Sequence, residues 1–321
     1  MGMQDLPDKV APPWLHWWAV LTLVAALPLL FLGAEVTTLG VGMVDARGLR
    51  SPWYFFQEFL AERGLDWKIE HGHRQAGWII GNCAIVLVVL TWWREPRRWV
   101  KWLSVLALAA VCVQGLLGIF RIELNARLGT TLALIHGGFA SVTFALLAVL
   151  AAVTARRWTS GAASAEPCSP RLRRWAIFSV VVVYAQLILG GLVRHKDFTL
   201  MARAHLLGAF AVVATVIWLA KLALESEQRA WLARSVTILL FLVCVQLLLG
   251  VESWLSKFFV PQGSWNQLQP LALHQDFVRS IHYVVGTLIL ATAVVLTLNV
   301  YWQGSGAMAV NPPARPLEGA A

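Results

Sequence analysis

The chain has 321 residues, of which 58% are hydrophobic and 13% are charged, and its formal net charge is +9. A soluble domain usually has about a quarter of its residues charged, so the composition excludes an ordinary soluble protein. The apolar residues come in runs of roughly 20, the length that crosses the ~30 Å hydrocarbon core of a bilayer as a helix. We therefore expect an all-α membrane protein.

Eight apolar runs are predicted to be transmembrane helices. In chain order they span 14–34, 74–93, 99–120, 131–154, 173–193, 204–223, 234–254 and 280–301. The first run is longer than the core of a signal peptide and lacks a small-residue cleavage site, so we expect it to be retained. The sequence therefore predicts a multi-pass protein.

Basic residues predict how the helices are oriented. Arg and Lys, with few acidic neighbours, are concentrated between runs two and three, four and five, and six and seven. Loops rich in basic residues usually face the cytoplasm, which places both termini there. The positive charge is then expected to contact anionic lipid rather than nucleic acid.

One pattern recurs four times along the chain. An apolar run ends in a Leu-Gly step, an outer loop follows, and a histidine stands near the start of the next run. The Leu-Gly segments are 27–33, 113–118, 185–191 and 245–250, and three of them carry glutamine at the same place (Gln114, Gln186 and Gln246). The repeat predicts two pseudosymmetric four-helix bundles, 14–157 and 173–301, with a cytoplasmic linker at 158–172 and a disordered tail at 302–321.

The histidines of this repeat are candidate ligands, because ionisable residues inside a membrane span are costly and usually functional. They are His73, His136, His205 and His282, each predicted about one turn inside the outer end of an even-numbered run. Two imidazoles at equal depth on neighbouring helices can bind a heme iron from both faces. The symmetry pairs His73 with His136 and His205 with His282.

Small residues near these histidines favour a flat cofactor. Gly77, Gly137, Gly138, Gly208 and Gly286 are expected to leave room for a macrocycle. Copper or zinc binds the same imidazoles, but separate helices and glycine clearances suit a planar group better than a compact metal. The other histidines lack this context: His16, His195 and His274 are expected in loops or at interfaces, and His71 is expected to face away from His73.

Charged residues of the outer surface are further candidates. Glu70 precedes His73 by three residues and shares its face on a continuous helix. Its carboxylate could hydrogen-bond a ligand, relay protons or stabilise positive charge on a substrate carbon, or form a salt bridge with Arg74 or Lys68. Arginines near the same surface could bind heme propionates or remain solvated: Arg74, Arg121, Arg194 and Arg203. Glu35 is ambiguous in the same way.

These segments together resemble the heme A synthase family of bacterial membranes and the mitochondrial inner membrane. The resemblance covers about 20–301 and rests on the segments 70–81, 113–124 with 132–140, 186–195 with 202–209, and 281–288. It implies a heme b held by His205 and His282. It also implies that the substrate heme O binds between His73 and His136, with Glu70 at the reaction centre. The first outer loop, 35–69, contains no cysteine, whereas many bacterial members have a pair there.

The implied reaction oxidises the C8 methyl of heme O, through hydroxylated intermediates, to the formyl group of heme A, which serves terminal oxidases. The resemblance further implies the bacterial inner membrane, heme sites toward the outer face, and contact with a heme O synthase and with terminal oxidase assembly. Two other classes stay open: a diheme electron-transfer protein, and a heme carrier or assembly factor. Glu70 beside His73 favours the enzyme, because an electron carrier does not need a carboxylate there.

Overall fold

The computed structural model describes residues 11–44, 64–159, 167–196, 199–258 and 269–302. These ranges contain nine α-helices and no strand. The helices are α1 (Pro13–Thr38), α2 (Leu65–Arg94), α3 (Arg98–Glu123), α4 (Asn125–Thr154), α5 (Arg156–Thr159), α6 (Pro170–Lys196), α7 (Thr199–Leu224), α8 (Arg229–Phe258) and α9 (Gln269–Tyr301). All except α5 are long and apolar enough to cross a membrane. The predicted all-α class with eight transmembrane helices is therefore confirmed.

Local sequence explains several helix ends. Proline occupies the first position of α1 and of α6, where its missing N–H has no helical partner to lose. At the other end of α2, Glu95 precedes Pro96 and adopts an extended conformation (φ −85°, ψ 120°), because proline disfavours the helical region for the residue before it. Arg97 then binds the buried Glu95 carboxylate, with Nε 2.7 Å from Oε1.

Two helices begin well before the predicted spans. Helix α2 starts at Leu65 rather than 74, and α9 starts at Gln269 rather than 280. Hydropathy marks only the apolar part of a helix, and here polar turns continue it on the side of the histidines. The repeat histidines therefore lie six to thirteen residues inside their helices, so the prediction that they lie about one turn inside was wrong.

The helix neighbours are the same in both halves of the chain. Within the first half, α1 packs on α2, α2 on α3, α3 on α4, and α4 on α1; α6 to α9 repeat this order. The halves meet through α4 and α9, with further contacts from α1 to α9 and from α4 to α6. In an 18-residue apolar stretch of each long helix, the buried share is 56% for α4 and 50% for α9. It is only 17–33% for the six other long helices. Helices α4 and α9 therefore form the centre of the protein.

Polar side chains join the halves on the side of the histidines. Tyr283 on α9 donates a hydrogen bond to the carbonyl of Gly137 on α4 (2.9 Å). Four other pairs of atoms add to this contact: Ser141 with Thr287 (2.9 Å), Thr38 with Ser280 (3.2 Å), and Arg194 with the Ala34 carbonyl (2.6 Å) and the Thr38 hydroxyl. The histidine-bearing ends of the two halves are thus fixed to each other by hydrogen bonds as well as by apolar packing.

The opposite end of the protein includes both ends of the predicted linker. Trp158 is buried and donates through Nε1 to Oδ1 of Asn299 (3.1 Å), while Trp231 donates to the Asn299 carbonyl (3.1 Å). Cys168 and Leu172 are also buried. The linker boundaries at 158 and 172 thus lie in packed structure. The centre of the linker, 160–166, and the tail from 303 onward lie outside the described residues.

Candidate functional site

The structure brings the four repeat histidines together in the two pairs predicted from the sequence. His73 on α2 faces His136 on α4, with ring centroids 6.4 Å apart and ring planes at 81°. His205 on α7 faces His282 on α9, with centroids 6.3 Å apart and planes at 76°. Each pair lies inside one half of the chain, so the protein contains two similar imidazole pairs.

The spacing within each pair fits two axial ligands of one metal ion. A metal–imidazole bond is about 2.0–2.1 Å and the ring centre lies about 1.1 Å beyond its nitrogen, so two imidazoles on opposite sides of one ion have centres about 6.3 Å apart. Among the described residues, no group of three or more His, Cys, Asp or Glu could hold a metal ion. Two imidazoles alone therefore suit an iron whose other ligands come from its own macrocycle.

Each histidine ring lies against the glycine of the Leu-Gly step on the preceding long helix. A Cβ atom on Gly33 would lie 2.7 Å from Cε1 of His73, and one on Gly190 would lie 3.0 Å from Cε1 of His205. The corresponding distances are 3.2 Å for Gly250 with His282 and 3.5 Å for Gly118 with His136. The repeat recognised in the sequence is therefore a contact between a glycine and an imidazole on adjacent helices.

The glutamines of the repeat lie beside the same histidines. Nε2 of Gln114 is 3.2 Å from each ring nitrogen of His136 and donates to the His136 carbonyl (3.0 Å). Gln186 donates to the carbonyl of His205 (2.8 Å). Nε2 of Gln246 is 3.2 Å from Nε2 of His282. In the sequence these glutamines are visible as part of the repeat, but no role was predicted for them.

His73 has a different partner at this position. Its Nδ1 is 3.1 Å from the backbone carbonyl of Leu29, the residue that precedes Gly33 by four. Each glutamine also precedes its glycine by four, so Leu29 occupies the glutamine position of the first hairpin. A backbone atom leaves no signal in the sequence, which is why this contact was missed. The carbonyl can accept only from a protonated Nδ1, which leaves Nε2 of His73 as the nitrogen with a free lone pair.

The glycines that follow the histidines do not all serve the predicted purpose. Gly208 lies against the side chain of Gln186, and a Cβ on Gly286 would lie 3.0 Å from Leu187 and 3.3 Å from Nε2 of Gln246. Gly138 is close to Ile188, at 2.9 Å from such a Cβ. A Cβ on Gly77 or on Gly137 would meet no atom within 4 Å. Gly77 and Gly137 therefore have room for a larger residue, whereas Gly208 and Gly286 accommodate protein side chains.

Glu70 is buried on the same helix as His73, one turn closer to the N-terminus of α2. It is 2% exposed, and its Oε1 lies 2.6 Å from Nη2 of Arg74. The salt bridge expected as one alternative is present. Arg121 on α3 lies close enough to interact electrostatically with Glu70, His73 and His136. The N-terminal pair is therefore accompanied by a buried carboxylate and two arginines.

The remaining candidates lie in different surroundings. Arg194 binds the Ala34 carbonyl and the Thr38 hydroxyl on α1, and Arg203 is exposed. His71 is fully buried and stacks on Trp67, with ring centroids 4.1 Å apart. The other three histidines lie in helices rather than in loops. His16 contacts Thr154 (3.4 Å), His274 contacts Glu252, and His195 lies near the end of α6.

Part of the chain is similar to a known protein family. Residues 60–204 match the model of the COX15-CtaA family, described as cytochrome oxidase assembly protein. The matched segment contains Glu70, His73 and His136 and ends one residue before His205. It confirms over these residues the family resemblance predicted from the sequence. No curated protein sequence matches the chain.

Proposed function

We propose that this protein is a heme A synthase, an oxidoreductase that converts heme O to heme A for terminal oxidases. The observation that carries the proposal is the N-terminal site, where His73 and His136 lie together beside the buried carboxylate of Glu70. The match of this segment to cytochrome oxidase assembly proteins supports it independently of the geometry.

In this proposal the C-terminal pair, His205 and His282, holds a heme b. A heme held there by these two imidazoles would supply one-electron transfer. Oxidation of a methyl group to a formyl group with water as the oxygen source releases four electrons and four protons, so the reaction requires an external electron acceptor. A redox site in the half of the chain next to the substrate site suits that requirement.

The substrate, heme O, would bind between His73 and His136, and Gly77 and Gly137 on the same two helices present no side chain and have no neighbouring atom within 4 Å of a Cβ position. Glu70 would act at the reaction centre by stabilising positive charge that develops at the substrate carbon. Arg74 forms a salt bridge with this buried carboxylate. Arg121 lies close enough to contribute to the electrostatic field around Glu70 or to bind a heme propionate. Arg194 and Arg203 remain proposed as further propionate contacts.

Eight long apolar helices indicate a multi-pass membrane protein. We place it in the bacterial inner membrane with both termini in the cytoplasm and both heme sites toward the outer face, because the basic loops lie at the end opposite the histidines. The protein is then surrounded by membrane lipid. Its proposed partners are a heme O synthase and the terminal oxidase assembly. Nucleic acid is not among them.

The test is expression in cells that make heme O, followed by extraction of the hemes, chromatography and a pyridine hemochrome spectrum. The wild-type protein is compared with Glu70→Gln. We expect heme A with wild type and none with the variant, because the amide removes the negative charge and keeps the shape of the side chain.

Glu95→Gln is the matched control, because Glu95 is an equally buried, arginine-paired carboxylate at the other end of α2. It should still produce heme A per mole of purified protein. Heme b alone in the wild-type extract, despite available heme O, would contradict the enzyme and leave an electron carrier or a heme-binding assembly factor.

A further inference from the structure

Arg194 connects the two halves of the chain close to the level of the imidazoles. It lies on α6, one turn after Gly190, the glycine that faces His205. Its Nη2 donates to the carbonyl of Ala34 (2.6 Å) and to the hydroxyl of Thr38, which lie one turn apart on α1. Among the described residues, α1 and α6 make no extensive packing contact, so a long side chain is needed to join them.

The part of α1 that this guanidinium binds is also the part that supports His73. Ala34 directly follows Gly33, and a Cβ on Gly33 would lie 2.7 Å from Cε1 of the His73 ring. The carbonyl of Leu29, four residues before Gly33, lies 3.1 Å from Nδ1 of the same ring. Because the ring contacts the backbone of α1 at both places, a shift or rotation of α1 would move His73 relative to the other imidazole of its pair.

A second helix of the C-terminal half takes part in the same contact. The Thr38 hydroxyl also lies 3.2 Å from the hydroxyl of Ser280 on α9, and Ser280 is fully buried two residues before His282. A hydroxyl that accepts a hydrogen bond from Arg194 can still donate its own proton to Ser280. The helices α1, α6 and α9 therefore meet in one hydrogen-bonded cluster that adjoins residues of both sites.

Adhesion of the two halves alone does not explain a charged side chain at this place. Arg194 lies inside the apolar span of α6, and an ionisable residue within a membrane span is costly and usually functional. The cation is stabilised by its position at the C-terminal end of α1, where the helix dipole is negative, and by the nearby carboxylate of Glu35. The halves already pack on each other through α4 and α9, so a specific role for this cation is the better explanation.

We propose that Arg194, a residue of the C-terminal half, is a positioning residue of the N-terminal histidine pair. It fixes α1 at the place where the backbone of that helix supports His73, and so orients this imidazole toward His136. The inference rests on the proposed heme site, and it differs from the propionate contact proposed for the same side chain, which would act on the heme itself. Substitutions along such a chain of contacts typically change an affinity about 2- to 30-fold.

The test uses the full-length protein in detergent, freed of heme, in a His205→Ala background that leaves only the N-terminal pair complete. Arg194→Met and Thr38→Val are each titrated with hemin and with hemin dimethyl ester, whose propionates carry no charge. We expect the Kd for both probes to rise about 2- to 30-fold. The low-spin electron paramagnetic resonance signal of the bound ferric heme should also shift, since it reports imidazole orientation. Thr38→Val leaves the guanidinium in place and serves as the second variant if Arg194→Met does not fold.

Arg173→Met is the matched control, because Arg173 lies on the same helix at the end opposite the histidines, over the ring of Tyr301. It makes the same change of side chain and should leave both readouts unchanged. A rise in Kd for hemin alone, with the dimethyl ester unaffected, would mean that Arg194 binds a propionate and would overturn the inference. Variants that lower only the unfolding temperature would overturn it as well. A parent protein that binds neither probe would overturn the proposed heme site itself.

Discussion

Gly33 lies directly against His73: a methyl group on this glycine would come within 2.7 Å of Cε1 of the imidazole. Carbon atoms that are not bonded attract each other best at about 3.5–4.0 Å, so one of the two residues would have to move. His73 is also held by the Leu29 carbonyl, one turn away on the same helix α1. The ring thus occupies a position defined by two contacts with one helix.

Replacement of Gly33 by alanine should therefore impair the N-terminal site. The added methyl group displaces the His73 ring from its partner carbonyl and from His136, so we expect heme O content per mole of protein to fall about tenfold or more. The C-terminal pair, 6.3 Å apart on α7 and α9, is untouched, and heme b content should remain. Extraction and chromatography of both hemes from the purified protein measure the two effects together.

Gly115→Ala is the matched control for this substitution. Gly115 lies on α3, and a Cβ there would meet no atom within 4 Å. The same change of one methyl group should leave both heme contents at the wild-type level. Equal loss of heme O in the two variants would show that general damage to helix packing, rather than the contact with His73, is responsible.

The sequence predicts the helices and the pairing well because both depend on patterns that repeat. Apolar runs define eight spans, and the recurrence of Leu-Gly and histidine at matching places is sufficient to pair His73 with His136. The prediction was less accurate for helix ends. Polar turns such as 65–73 have no hydropathy signal, although they place Glu70 on a continuous helix.

Contacts that depend on which side of a helix faces which neighbour were not predictable. Gly208 and Gly286 were expected to border a macrocycle, but they face glutamines of the adjacent helix. The spacing of glycines and histidines along one helix is visible in the sequence, whereas the rotation of that helix about its axis is set by packing. Backbone partners such as the Leu29 carbonyl are invisible for a simpler reason, since every residue has one.

The pair formed by Glu70 and Arg74 predicts a non-additive effect on stability. Arg74→Leu leaves the buried Glu70 carboxylate without its 2.6 Å partner, and breaking a buried pair on one side typically costs about 3–5 kcal/mol. Replacing both residues, as Glu70→Gln with Arg74→Leu, removes the buried carboxylate charge together with the cation of its salt bridge, so the double variant should be more stable than Arg74→Leu alone. Thermal unfolding in detergent measures the difference.

The exposed pair of Lys221 and Glu225 provides the comparison. Their side chains are 55% and 63% exposed and 3.9 Å apart, so Lys221→Leu should change stability by less than about 1 kcal/mol. If Arg74→Leu were no more destabilising than Lys221→Leu, Arg121 would already neutralise Glu70, and the role assigned to Arg74 would have to be abandoned.

The bond between Tyr283 and the Gly137 carbonyl connects the two sites. Tyr283 follows His282, Gly137 follows His136, and the hydroxyl donates across the α4–α9 contact at 2.9 Å. Tyr283→Phe removes only this hydroxyl, which should cost about 0.5–1.5 kcal/mol and lower the unfolding temperature by about 2–4 °C per kcal/mol. Because the bond lies one residue from a histidine of each pair, we expect both heme O and heme b content to decrease, in similar proportion.

Tyr301→Phe, at the other end of α9 where the side chain is 42% exposed, should change neither content. A decrease confined to one heme in Tyr283→Phe would mean that the two sites are held independently, and that the contact between α4 and α9 serves stability alone.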